Sequence, residues 1–244
     1  MHVVVCRHDE KSLLIKAAAL ATRLQWLTMS AIPAEATLAL LVEENYLALF
    51  LPQLPQFKPL YLDFRDGKQA YRLRHVEHEQ LVKACRVKGL SARAVKIIDA
   101  TAGLGKDALL LAASGAHVTL LEQQPVLACL LEDLLDRLAS SDWGFELKLH
   151  HINAIDYLTC LAESECPDVI YLDPMFDHDV TKTALVKKDL QMLQTLASPP
   201  VLDEQRQLLT VARARALHKV VVKRARLAMP LADVKPDYQL LGAH

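Results

Sequence analysis

The sequence predicts an α/β fold, with a parallel, helix-covered sheet over residues 91–244 preceded by a smaller α/β domain over residues 1–90. Three observations carry this. From Ser91 onward, short β-branched apolar runs alternate with segments of helical length, the pattern of strands joined by crossover helices. Before that point strands and helices are mixed, and turn signals such as Glu43-Glu44-Asn45 and Asp66-Gly67 separate neighbouring apolar runs. The stretch from Val95 to Asp107 reads as strand, acid, glycine turn and helix, which is how a nucleotide-type ligand is met at a sheet edge.

In chain order, residues 2–6 read as a strand and 11–24 as a helix. Runs at 38–42 and 46–51 flank Glu43-Glu44-Asn45 and predict a hairpin; runs at 60–64 and 69–73, around Arg65-Asp66-Gly67-Lys68, predict a second. Residues 77–86 read as a short helix, with Gly89 in a stop position. The second part places strands at 95–99, 117–121, 146–150, 168–172 and 219–223. Helices are expected at 106–114, 125–138, 154–162, 181–196 and 203–217, with Pro125 in a first turn where its missing N–H costs nothing.

At 244 residues and 52% apolar content, the chain can bury the core of one large domain or of two smaller ones. Its 28 basic and 29 acidic residues nearly cancel, so a nucleic-acid partner would rest on a local basic patch. No stretch approaches the ~20 uninterrupted apolar residues of a membrane helix, and Met1 to Arg7 lacks the charged lead and apolar run of a signal peptide. A cytoplasmic protein without a membrane partner or an obligate protein partner is expected. The five cysteines show no CxxC pairing and read as reduced thiols. His75 and His78 with Glu77 and Glu79 lack a second ligand pair, so no metal is expected.

The chemistry concentrates in two motifs. Asp99, ending its strand ahead of Gly103 and Gly105, suits a ligand with a positive amino group, and Glu122, nineteen positions after Gly103, suits a ribose diol. Gly103-Leu104-Gly105-Lys106-Asp107-Ala108 also satisfies the G-x-G-x-x-A pattern of NAD sites; Asp99 weighs against that reading, because it would repel a pyrophosphate. The second motif, Asp173-Pro174-Met175-Phe176, follows the apolar strand 168–172. It presents a carboxylate and backbone carbonyls, acceptors for an exocyclic NH₂, and a Phe face on which a base can stack.

Asp99-x-Thr101-x-Gly103-x-Gly105 resembles motif I of class I S-adenosylmethionine-dependent methyltransferases, with Thr101 where a glycine is usual, and Asp173-Pro174-Met175-Phe176 resembles their amino-methylating motif IV. Together with Ala184-Leu185-Val186-Lys187-Lys188 and Val220-Val221-Val222-Lys223-Arg224, these motifs resemble the ribosomal RNA small subunit methyltransferase J family. The resemblance implies a Rossmann-like class I methyltransferase sheet, S-adenosylmethionine as cofactor with S-adenosylhomocysteine as product, and methylation of a guanine N2 in 16S rRNA, free or in the small ribosomal subunit.

Carried over by position, the resemblance assigns cofactor contacts to Asp99, Thr101, Gly103, Gly105, Lys106, Asp107, Glu122, Gln123, Asn153, Ala154 and Asp173. Asp173, Pro174 and Phe176 are the expected catalytic group, and Lys187, Lys188, Lys223 and Arg224 the expected RNA contacts. Two departures stand out: His75-Val76-Glu77-His78-Glu79-Gln80 where the family has a glycine-rich basic loop, and a chain ending at His244 where the family continues into a final strand. Other expectations compatible with motif IV are an amino-methyltransferase acting on a DNA base or a protein glutamine, and a methyltransferase-like RNA-binding protein without catalysis.

Overall fold

The computed structural model describes residues 1–65, 67–174, 195–196, 201–226 and 228–241. The expected helix at 181–196 falls almost wholly outside these residues, as do Met175, Phe176, Lys187 and Lys188.

The chain opens with β1 (His2–Cys6), α1 (Lys11–Leu24), β2 (Leu27–Met29), β3 (Leu38–Val42), β4 (Leu47–Phe50) and β5 (Leu60–Tyr61). They form a five-stranded sheet in the order β2-β1-β3-β4-β5, with β1 parallel to β2 and β3 and the other pairs antiparallel. The hairpin around Glu43-Glu44-Asn45 is present as β3–β4. β2 escaped the sequence reading because it is a three-residue exposed edge strand with no burial pattern to signal it.

The second expected hairpin is replaced. β5 pairs with β4, and residues 69–73 lie within helix α2 (Gly67–Arg74). The alternation Gln69, Tyr71, Leu73 imitates a strand, yet Tyr71 is 63% exposed while Ala70 and Leu73 are buried at i, i+3, so helical burial decided. The expected helix at 77–86 is broken: a 3₁₀ turn at Val76–His78 precedes Glu79 in extended conformation, and α3 covers only Gln80–Cys85. The Glu79 carboxylate pairs with two of the three Arg72 guanidinium nitrogens, Nε at 2.8 Å and Nη2 at 2.7 Å.

The second sheet follows the predicted alternation: β6 (Lys96–Asp99), α4 (Lys106–Ala113), β7 (His117–Glu122), α5 (Pro125–Ala139), β8 (Leu147–His151), α6 (Ala154–Cys160), β9 (Val169–Leu172), α7 (Leu202–Arg215) and β10 (Lys219–Val222). All pairs are parallel in the order β10-β9-β6-β7-β8. The order reverses at β6, so Asp99 ends the strand where a ligand crevice opens in sheets of this kind. One apolar core runs through both sheets, joining Leu40, Leu47 and Leu49 to Leu109, Leu127 and Leu130. A second packs Ile98, Ile170 and Leu172 against Leu158, Leu209 and Ala212 on the other face.

At the junction, Asp133 of α5 is 6% exposed and accepts from Lys16 Nζ (2.7 Å), Leu47 N (3.0 Å) and Arg137 Nε (3.0 Å). The late basic residues are also put to structural use. Arg215 donates to the carbonyls of Leu158 and Thr159, and Lys219 to those of Ala84 and Arg86, so each occupies the carbonyl end of a helix.

Candidate active site

The site lies where the C-terminal ends of β9, β6 and β7 meet. Gly103 and Gly105 both have positive φ, and Gly105 precedes the first residue of α4. An added Cβ at Gly105 would sit 2.8 Å from Leu131 Cδ2, so the glycine meets both the backbone and the packing requirement. The Asp99 carboxylate, 1% exposed, turns back to accept the Thr101 N–H at 3.1 Å. Glu122 accepts from Gly103 N at 2.8 Å and Gln124 N at 2.7 Å, so it fixes the glycine turn directly.

Thr101, which stands where motif I usually has glycine, offers its hydroxyl oxygen to the Asp173 N–H at 2.6 Å. The first loop and the Asp-Pro turn are thereby joined side by side. Gln123 and Asn153 also meet: Asn153 Nδ2 donates to Gln123 Oε1 at 2.7 Å, while Asn153 Oδ1 caps α6 through Ile155 N at 2.8 Å, beside Ala154. The Lys106 carbonyl accepts from Gln69 Nε2 at 2.9 Å, tying α4 to α2.

Four carboxylates, Asp99, Asp107, Glu122 and Asp173, thus gather along this edge. Burial pushes Asp99 up to about 8, against the opposing Thr101 N–H and with added repulsion from Asp107, Asp173 and Glu122. Burial likewise pushes Glu122 up to about 7, although the backbone N–H groups of Gln124, Gly103 and Gln123 favour its charge. A corner so dense in buried acids suits a ligand with excess positive charge. S-adenosylmethionine, with a sulfonium, an ammonium and one carboxylate, meets that requirement, whereas a pyrophosphate does not.

Three contacts were not anticipated. Tyr171, 1% exposed, donates its hydroxyl to Asp107 Oδ2 at 2.6 Å, and Lys223 donates to Asp107 Oδ2 at 2.6 Å and Asp173 Oδ2 at 2.7 Å. The period-two parity of β9, which puts Tyr171 and Asp173 on one face, was the available signal for the tyrosine. Arg224 gives Nε and Nη2 to the Met229 carbonyl, at 3.0 and 2.7 Å. Among the described residues no cluster of three or more His, Cys, Asp or Glu could hold a metal ion, and no helix is long and apolar enough to cross a membrane.

Comparison with known proteins agrees with this geometry. The family model described as "Putative SAM-dependent methyltransferase" matches residues 4–243. The protein named Ribosomal RNA small subunit methyltransferase J from Alkalilimnicola ehrlichii is 42% identical over 232 residues, covering 93% of this chain and 87% of its own. Its namesake from Thioalkalivibrio sulfidiphilus is 38% identical over 242 residues, covering 97% and 92%. Among solved structures, a SAM-dependent methyltransferase from Neisseria gonorrhoeae superposes with a TM-score of 0.70 at 26% identity, covering 98% of this chain and 90% of its own. A sheet that reverses at Asp99, an acidic corner beside an Asp-Pro turn, and identity sustained along nearly the whole chain agree: this chain belongs to the ribosomal RNA small subunit methyltransferase J family of SAM-dependent methyltransferases.

Proposed function

We propose that the protein methylates the exocyclic N2 of a guanine in small-subunit rRNA. The observation that carries this is the Asp173 turn, fastened to the cofactor loop by the Thr101 hydroxyl, which sets an amine acceptor one strand away from Asp99. When bound, S-adenosylmethionine supplies a methyl group on a sulfonium sulfur and leaves as the neutral thioether. Asp99 would receive the cofactor's ammonium, and Glu122, which holds the glycine turn, would take its ribose. Lys106, Gln123, Asn153 and Ala154 complete the proposed rim.

Asp173 accepts one N–H of the guanine NH₂, and a carbonyl of the Asp-Pro turn accepts the other. Held by these acceptors, the amine would present its lone pair to the electrophilic methyl group that the cofactor supplies. The proton that the methylated nitrogen must lose would pass to the Asp173 carboxylate. An exocyclic amine in a paired or stacked base cannot reach this turn, so the base leaves its stack, with Phe176 as its proposed platform. Lys187, Lys188 and Arg224 are proposed phosphate contacts. A ribosomal substrate also places the protein in the cytoplasm.

Labelled-methyl transfer to unmodified 16S rRNA and to 30S particles, with the modified nucleotide mapped, tests the reading. Label on a guanine N2, lost in Asp173→Ala, is the expected result. Label appearing only on DNA or on a protein amide would overturn the substrate assignment.

A further inference from the structure

Lys223 was expected at an RNA phosphate, and the structure gives it a different set of partners. Its backbone N–H extends the β9–β10 ladder by bonding to the Leu172 carbonyl at 2.9 Å, which sets Lys223 directly beside Asp173. From there its ammonium spans β9 to reach α4, closing a four-group chain: Tyr171 hydroxyl, Asp107 carboxylate, Lys223 ammonium and Asp173 carboxylate, every link between 2.6 and 2.7 Å. Burial works against the lysine charge, and Asp107 and Asp173 more than offset it, so the ammonium is held above its ordinary value.

We propose that Lys223 is a positioning residue for methyl transfer, whose bridge from Asp107 fixes the Asp173 carboxylate to receive the amine N–H, and that it is not a phosphate contact. This role rests on the amine-acceptor reading of Asp173. Three geometric facts support it. The bridge occupies one oxygen of Asp173, Oδ2, and so settles the rotation of the carboxylate. Its other anchor, Asp107, is itself held by Tyr171, whose ring is buried in the core, so the bridge stands on rigid structure. The Asp173 main chain is fixed independently by Thr101, so backbone and side chain are each located by a separate bond.

Charge gives the second half of the argument. The groups around the bridge are Asp99 on β6, Glu122 on β7, Lys106 and Asp107 on α4, Tyr171 and Asp173 on and after β9, and Arg224 beside Lys223. From the flanking helices Lys68 and Arg72 on α2, Glu79 and Cys85 also face this region, and the Arg72 guanidinium is committed to Glu79. Lys223 bonds Asp173 directly, and Arg224 adds a further positive charge that interacts with the same carboxylate. Removing that ammonium leaves Asp173 facing Asp107 without the intervening charge, so protonation of Asp173 becomes easier and the amine loses its acceptor at a higher pH.

The test compares wild type, Lys223→Met and Lys223→Arg under saturating cofactor, recording single-turnover rates against pH together with RNA affinity against salt. For Lys223→Met the expected result is a rate about 10- to 100-fold lower, an acid limb displaced to higher pH, and RNA affinity with its salt slope unchanged. Lys223→Arg should restore the position of the acid limb, and melting temperatures within a few degrees of wild type would show that the variants fold. A Lys223→Met protein with wild-type rate and pH profile, but with weaker RNA binding and a salt slope reduced by about 1, would overturn the proposal in favour of a phosphate contact. Wild-type protein that labels no guanine amine would overturn the amine-acceptor reading itself, and the bridge's role with it.

Discussion

The Thr101 hydroxyl accepts the Asp173 backbone N–H at 2.6 Å, so a residue of the loop after β6 positions the Asp-Pro turn that follows β9. Thr101→Val keeps the shape and removes the acceptor. The expected outcome is a fall in kcat of about 10- to 100-fold, the cost of a displacement near 1 Å at a reacting centre, with little change in S-adenosylhomocysteine affinity. Thr101→Ser, which keeps the oxygen, should recover most of the activity, and steady-state kinetics on the same rRNA substrate check both.

Cofactor binding should release protons near neutral pH. Asp99, pushed by burial up to about 8, is mostly protonated at pH 7 and would have to ionise to take the ammonium proposed for it. Calorimetry in buffers of different ionisation enthalpy should show net proton release on S-adenosylhomocysteine binding, with affinity rising from pH 6 to pH 8. Asp99→Asn should lose both the release and most of the affinity.

The same shift has a consequence for stability, with its sign fixed by linkage. A carboxyl whose folded value lies above its ordinary 3.8 favours folding below that value, and this contribution is lost as pH rises toward about 8. Thermal melts of ligand-free wild type and Asp99→Asn from pH 4 to pH 9 should therefore diverge, the wild type losing ground relative to the variant until about pH 8.

Gly105→Ala meets two penalties where Gly144→Ala meets one. At Gly105, with φ +71°, the new methyl would lie 2.8 Å from Leu131 Cδ2, in a side chain with no exposed surface to move into. Overpacking of this kind costs about 1–3 kcal/mol, and the left-handed backbone about 1–2 more. Gly144, at φ +61° with nothing within 4 Å, should show the backbone cost alone. Denaturant titrations of the two variants measure the difference.

Asp133→Ala would leave Lys16, the Leu47 N–H and Arg137 without their shared carboxylate at the junction of the two sheets. Breaking a buried, hydrogen-bonded charge group of this type costs about 3–5 kcal/mol. The loss should appear as a lowered melting temperature, and the kcat of the folded fraction should be unaffected.

What the sequence disclosed and what it hid divide along the range of the interactions involved. Val95, Ile97 and Ile98 are β-branched and apolar just before Asp99 and two glycines, a purely local pattern, so strand, turn and α4 could be placed within a residue or two. The acids Asp99, Glu122 and Asp173 were legible as strand-end residues, and the sheet brings them to one edge. Residues 69–73 were misread because their local alternation is ambiguous, and burial of Ala70 and Leu73 settled the matter. The partners of Lys223 lie 116 and 50 positions away, and no spacing rule reaches that far. Arg215 and Lys219 likewise bond to helix carbonyls 57 and 133 positions away.

The core that passes through both sheets also governs how the chain can be made. Leu47 receives its carboxylate partner from Asp133, 86 positions later. At ~5–20 residues per second, a ribosome needs about 4–17 s to supply that stretch. During this interval Leu40, Leu47 and Leu49 have emerged without the α5 leucines that cover them. The first sheet is therefore a surface in waiting during synthesis. An isolated fragment of residues 1–90 would keep that surface bare, which makes it a ligand for chaperones and a seed for aggregation.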